Sequence, residues 1–109
     1  MKTFTLPSLR QKSQAFSHYT LNKKVYYFKF MRVDYMFLAD IYLPQENGNL
    51  YVIRGHQIIP DVDLISRVKN SDLITGRLFI RNKFGKDIFP DLYNFDTDFE
   101  LVYYDDSDE

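Results

Sequence analysis

Histidines and closely spaced carboxylates are the side chains of this 109-residue chain that could bind a metal ion or transfer a proton. His18 and His56 lie far apart in the sequence. Neither has a second histidine or a carboxylate three or four residues away, which is the spacing that helical metal sites use. We therefore interpret both histidines as polar residues near strand ends.

Three pairs of acids could provide oxygen ligands for calcium: Asp61 with Asp63, Asp96 with Asp98, and Asp105 with Asp106. A calcium-binding loop of the EF-hand type needs an ordered series of oxygen ligands, a glycine and a closing glutamate. None of the three pairs lies in such a series. We expect no metal site, and we interpret these aspartates as turn residues that bond to local backbone amides.

Residue patterns for covalent chemistry and for cofactor binding are missing from the sequence. It has no cysteine and no G-x-S-x-G motif, and its four glycines form no phosphate-binding loop. We therefore expect no catalytic residue and no cofactor-binding residue, and we predict that the protein is not an enzyme.

One stretch alternates bases with aromatics, a combination that can stack on exposed nucleic-acid bases. Its cations are Lys23, Lys24, Lys29 and Arg32, and its rings are Tyr26, Tyr27, Phe28 and Phe30. The pI of about 6.1 argues against a strongly positive binding face, and the same rings are the best core candidates. Nucleic acid is therefore an improbable partner, although a small OB-like single-stranded nucleic-acid binder stays open as an alternative.

The elements that would position these residues are mostly strands. Ten Phe and nine Tyr with no Trp favour a pleated, half-buried surface over a helix. We predict an all-β fold, a small antiparallel barrel or sandwich of about six strands with one short helical turn. The predicted strands span 14–21, 25–32, 35–43, 50–55, 77–82 and 98–105.

Local signals refine this prediction. Asn47-Gly48 suits a type I′ turn, which predicts a hairpin over 35–55. Pro44 is expected to end the strand before that turn, because it cannot donate to a ladder. The spacing of Val62, Ile65 and Val68 favours the helical turn within 62–69.

We predict one domain over 1–104 that begins with an extended lead-in over 1–13, followed by a flexible acidic tail over 105–109. No stretch approaches the roughly 18 apolar residues of a membrane helix, and no signal peptide is evident. We therefore expect a soluble protein made in the cytoplasm. Residues 1–55 hold eight bases and three acids, whereas 56–109 hold six bases and twelve acids.

The last two predicted strands are joined by KFGKDIFPDLYNFD, which is too apolar for a plain surface loop. We expect this connector to fold back, with its large side chains closing one end of a barrel or meeting a neighbouring subunit. The course of the connector would be fixed by Pro90.

Several ordered segments resemble the baseplate plug family of contractile-tailed bacteriophages, described from cyanophage-type tails. The family opens with a spaced Leu, Gln and Phe, here Leu9, Gln14 and Phe16. The matching later segments are Gly55 to Pro60, Gly76 to Ile80, the turn glycine Gly85, Pro90 to Asp96, and Leu101-Val102-Tyr103. One departure is Phe95-Asp96, where the family often has Phe-Gly, so we expect a different turn there.

The resemblance implies a structural virion protein of the tail baseplate, made in the host cytoplasm, that acts by assembly at the distal end of the tail tube. The implied partners are other tail proteins (hub, spike, tube or wedge), and the protein would be oligomeric in the assembly, without contact to a membrane. A host-directed adaptor or inhibitor is a further alternative. The candidate partner contacts are Phe84, Phe89, Leu92, Tyr93, Phe95 and Tyr104.

Overall fold

The computed structural model describes residues 1–66, 68 and 73–105. Within these residues the chain forms seven strands and no helix, which confirms the all-β prediction. The strands are β1 (Lys2–Thr5), β2 (Gln14–Leu21), β3 (Lys24–Val33), β4 (Met36–Gln45), β5 (Gly48–Gln57), β6 (Arg77–Asn82) and β7 (Phe99–Tyr104).

In the described part of the chain these strands form two antiparallel sheets, which do not close into a barrel. The larger sheet has the order β2-β3-β4-β5, and the smaller has the order β1-β7-β6. Strand β1 lies within the predicted lead-in and pairs with β7 from Lys2↔Tyr103 to Thr5↔Glu100. The sequence did not predict this strand, because a segment of four mostly polar residues is too short to show an alternation of apolar and polar side chains.

Left-handed backbone angles fall where the tight turns need them. Asn22 and Lys23 have φ values of 50° and 69° and lie between the paired residues Leu21 and Lys24. Two successive positive angles are the signature of a type I′ turn, so this geometry joins β2 to β3. The predicted type I′ turn at Asn47-Gly48 is wrong: Gly48 has φ 119°, but Asn47 has no positive φ.

The β4–β5 hairpin itself is confirmed, but it is longer and less regular than predicted. Its ladder runs on through Pro44, which pairs with Asn49. Pro44 therefore does not end β4; it is tolerated because the β3 ladder stops earlier, at Tyr42. Register shifts lie on either side of Ile41.

One of these shifts is held by a side chain. The Gly55 N–H donates to Oδ1 of the buried Asp40 at 2.6 Å, and Gly55 has φ 62°. The carboxylate thus satisfies a backbone donor that leaves the ladder at a bulge.

The segment after β5 crosses from one sheet to the other. The Ile58 N–H donates to the Phe37 carbonyl of β4 at 2.7 Å, and the Leu64 N–H donates to the Leu78 carbonyl of β6 at 2.7 Å. Asp63 Oδ1 accepts from the N–H groups of Ile65 and Leu78, both at 3.0 Å. Of the helical turn predicted within 62–69, the described part shows one i→i+3 bond, from the Val68 N–H to the Ile65 carbonyl at 3.1 Å, and no helix; Arg67 and Lys69 lie outside the described residues.

Aromatic side chains from both sheets fill the space between them. Tyr19 of β2 contacts Phe4 of β1 and, edge to face, Phe28 of β3, with centroid separations of 5.1 and 5.0 Å. Its hydroxyl donates to the Thr5 carbonyl at 2.8 Å, which ties the larger sheet to β1. Burial raises the pKa of the Tyr19 phenol, an effect that a hydrogen bond with Ser17 partly offsets.

Among the described residues, no helix is long and apolar enough to cross a membrane.

Gly76 is the glycine with least room. It has φ 96°, and a Cβ built there would run into the carbonyl oxygen of Tyr104. We expect Gly76→Ala to lower the free energy of unfolding by about 3 kcal/mol or more, because backbone strain and a clash add. Gly85→Ala is the control: φ is 71° but nothing lies within 4 Å, so a loss of about 1 kcal/mol is expected. Equal losses in urea unfolding would contradict this assignment.

The buried Tyr19 phenol predicts a loss of stability in alkali. Its folded pKa is raised above the unfolded value of 10.0, so the stability it contributes is complete below pH 10 and falls as the pH rises beyond it. Tyr19→Phe should flatten the decline of the free energy of unfolding above pH 10, whereas Tyr35→Phe, at a 95% exposed side chain, should leave it unchanged. Identical pH profiles for wild type and Tyr19→Phe would refute the prediction.

Candidate interaction surfaces

The connector between β6 and β7, residues 83–98, is pinned at its base. The Lys83 N–H donates to the Asp98 carbonyl at 2.7 Å, which draws the two ends together. Asn82 Oδ1 accepts from the N–H groups of Phe84 and Lys86, at 2.8 and 3.3 Å. The first turn of the connector is therefore built on a buried side chain of β6.

A reciprocal pair of side chains organises the second half of the connector. Asp91 Oδ1 accepts from the N–H groups of Tyr93 and Asn94 at 2.8 and 2.9 Å, and Asn94 Oδ1 accepts from the Asp91 N–H at 2.6 Å. Each residue thus satisfies backbone donors of the other, as in a capping box. The turn that follows the buried Pro90 is closed locally.

Phe95 belongs to the core, so its prediction as a partner contact is corrected. Its side chain is 0% exposed, stacks on Phe37 with centroids 5.3 Å apart, and meets Phe30 edge to face at 5.5 Å. Leu92 is half-buried and packs against the same core. Asp96 replaces the glycine that the family often has after this phenylalanine. Its φ is not positive, so the backbone at this position does not require a glycine.

The other large side chains of the connector face outward. Phe84, Phe89 and Tyr93 are 65%, 70% and 74% exposed, and Ile88 is exposed as well. Arg10 Nη2 donates to the Tyr93 carbonyl at 2.8 Å and lies 3.5 Å from Asp96 Oδ1. That carboxylate oxygen is buried and has no well-formed hydrogen bond within the described chain, so its contact with Arg10 is one of charge alone.

Tyr104 is not part of the connector surface. It lies at the end of β7, where its ring stacks on Phe79 at 6.1 Å and the Arg77 guanidinium sits 4.8 Å from the ring centroid. Of the six predicted contacts, the structure therefore leaves Phe84, Phe89 and Tyr93 exposed on one connector, half-buries Leu92 and Tyr104, and buries Phe95.

A row of rings, which was not among the predicted contacts, crosses the outer face of the larger sheet. His18, Tyr27, Tyr42 and Tyr51 come from its four successive strands. Their neighbouring centroids are 5.7, 6.0 and 5.6 Å apart. We call these four residues the ring row. Such contacts contribute about 0.5–1.5 kcal/mol per aromatic pair beyond area burial.

Two cations flank the ring row. Lys29 Nζ lies 5.9 Å from the centroid of the exposed Phe16 ring, and the Arg54 guanidinium lies 4.5 Å from the Tyr51 centroid. The sequence could have predicted part of the ring row, because the alternation of β3 and β4 places Tyr27 and Tyr42 on one face. Adding His18 of β2 and Tyr51 of β5 requires the register of each strand on its neighbour, which the sequence does not show.

The nucleic-acid alternative depended on four rings, of which three are buried in this structure. Tyr26, Phe28 and Phe30 point into the core and are buried, and only Tyr27 of that run lies on the outer face. They cannot stack on bases in this structure.

The histidines and aspartates that were candidates for a metal site make local hydrogen bonds or lie far from one another. His56 Nδ1 is 2.8 Å from the Gln57 carbonyl, and Thr97 Oγ1 donates to Asp98 Oδ1 at 3.2 Å. In the described ranges no three His, Asp or Glu side chains come together as a metal site would require. Asp106 of the third acid pair, and most of the predicted tail, lie outside the described residues.

A small polar cleft opens beside the start of the connector. It is lined by Asp61, Arg81, Asn82, Gly85, Lys86 and Asp87. The Arg81 Nε donates to Glu100 Oε2 at 2.8 Å, and Asn82 Nδ2 is buried without a partner among the described residues. Charges of both signs line the cleft, so it favours neither an anion nor a cation.

The family model for the cyanophage baseplate Pam3 plug gp18 matches residues 1–106 of the chain. This match confirms the resemblance drawn from the ordered sequence segments. Neither a curated protein nor a solved structure matches the chain.

The buried Phe95 and the exposed Phe89 of the connector should respond differently to replacement by alanine. Phe95→Ala should lower the free energy of unfolding by about 3–5 kcal/mol, because it leaves a cavity between Phe37 and Phe30. Phe89→Ala, at an exposed ring, should change it by no more than about 0.5 kcal/mol. Urea unfolding of both variants measures the difference; a large loss with Phe89→Ala would mean that this ring is buried.

Proposed function

Because the chain belongs to the cyanophage baseplate plug family and is a structural protein of the phage tail baseplate, we propose that it acts there without catalysis, as a hub-associated plug at the distal end of the tail tube. Its work would be to hold neighbouring tail proteins together through side-chain contacts. The partners we propose are the hub, spike, tube or wedge proteins.

The connector is the observation that carries this proposal. It displays Phe84, Phe89 and Tyr93 on a backbone that is pinned at both ends. Aromatic side chains that become buried supply most of the binding energy in protein interfaces. Because the backbone is already ordered, little loop entropy would be lost when a partner covers these rings.

Charge supports an oriented fit between the plug and its neighbours. The first half of the sequence has an excess of bases and the second half an excess of acids. Such asymmetry selects the orientation and the partner more than it raises affinity.

A phage in which the gene for this chain is disrupted provides the test. Supplying the wild-type chain in trans should restore complete baseplates, with the chain detected in purified particles by mass spectrometry. Supplying a Phe89→Ser/Tyr93→Ser variant should lower its incorporation by about tenfold or more, because the two most exposed connector rings are lost.

Leu50→Ser is the control variant, since Leu50 is also exposed but lies beside the β4–β5 turn. It should be incorporated like wild type. Infectious particles that have complete baseplates but lack the chain would refute the proposed function. Normal incorporation of the connector variant would refute only the role of its rings.

A further inference from the structure

The connector and the outer face of the larger sheet are chemically complementary. Residues 87–93, DIFPDLY, expose Phe89 and Tyr93 beside two carboxylates, Asp87 and Asp91, and contain no base. The outer face offers the ring row, with the Arg54 guanidinium over Tyr51 and Lys29 over the neighbouring Phe16 ring. Rings and anions on one surface thus match rings and cations on the other.

The outer face has few acids of its own to compete for those cations. Asp40 is the carboxylate that the strands of this face contribute, since it shares the alternation of Tyr42. It is buried, and its Oδ1 is occupied by the Gly55 N–H. Lys29 lies directly opposite Asp40 in the β3–β4 ladder, so the exposed Arg54 is the main charge that an incoming group would meet.

One copy of the chain cannot bring the two surfaces together. The connector is anchored by Phe95 against Phe30 and Phe37, on the inner face of the larger sheet. The ring row lies on the opposite face, because successive side chains of a strand point to opposite sides. The acidic, aromatic segment must therefore find a cationic, aromatic face on another molecule.

We propose that copies of this chain associate head to tail, with residues 87–93 of one copy docked on the ring row of the next. The inference deepens the proposed function, since it names a second copy as one of the partners of the plug. The contact joins two different patches and is therefore heterologous, so copies build a closed ring if the rotation between them closes. Phe84, which lies between Lys83 and Lys86, stays outside this contact and is left for other baseplate proteins.

Complementary variants test the proposal on the purified full-length chain. The connector variant is Phe89→Ser/Tyr93→Ser, and the face variant is His18→Glu/Arg54→Glu, which places carboxylates at both ends of the ring row on exposed residues. Mass by light scattering and sedimentation is measured over roughly a hundredfold range of concentration that spans the micromolar region.

We expect wild type to exceed the monomer mass, and each variant alone to associate about tenfold or more weakly. An equal mixture of the two variants should form a dimer and stop there, because one intact connector meets one intact face. Added salt should weaken association of the wild type. Leu50→Ser should behave as wild type.

Several outcomes would overturn the proposal. They are a wild-type monomer at every concentration, a connector variant that associates normally, or a mixture that stays monomeric. Loss of association on removing residues 106–109 would identify the acidic end as the occupant instead. Binding of a single-stranded oligonucleotide that the face variant abolishes would assign the ring row to nucleic acid. A monomeric chain that still enters baseplates would refute head-to-tail contact and leave the proposed function intact.

Discussion

Phenylalanine rings packed between two sheets hold this protein together. Among the described strands, none of one sheet is hydrogen-bonded to a strand of the other, so side chains and the crossing segment after β5 join the sheets. Phe95 of the connector adds its ring to this core, where it packs on Phe30 and Phe37 of the larger sheet. Full burial of such a ring contributes about 1.5–3 kcal/mol, a large fraction of the stability of a small protein. The connector is consequently part of the core as well as part of the surface.

That double role explains how an irregular segment can serve assembly. A flexible loop would lose conformational freedom when a partner covered it. Here Asn82 holds one end, the Asp91–Asn94 pair holds the middle, and Phe95 holds the far end. The exposed rings lie between these fixed points, so their positions are determined largely by folding.

The regular parts of the fold follow from the sequence more directly than the connector does. Strands 14–21 and 77–82 are predicted to the residue, because polar residues or glycine bound short runs that are rich in aromatic and aliphatic side chains. The connector has no period, so nothing in its sequence tells the buried Phe95 from the exposed Phe89. The ring row needed cross-strand register, and Asn47-Gly48 misled because Asn47 keeps an ordinary φ while Gly48 alone takes the positive angle. Family resemblance supplied the baseplate assignment that local physics did not contain.

The irregularity of β5 affects how this edge strand can pair with another chain. This strand is an edge of the larger sheet, and its ladder to β4 shifts register on both sides of Ile41, with Gly55 in a left-handed conformation. An edge whose ladder is interrupted by a bulge is a poor template for the flat stacking that seeds fibrils. At the β5 edge, backbone pairing with another chain is therefore disfavoured, which leaves contacts there to side chains.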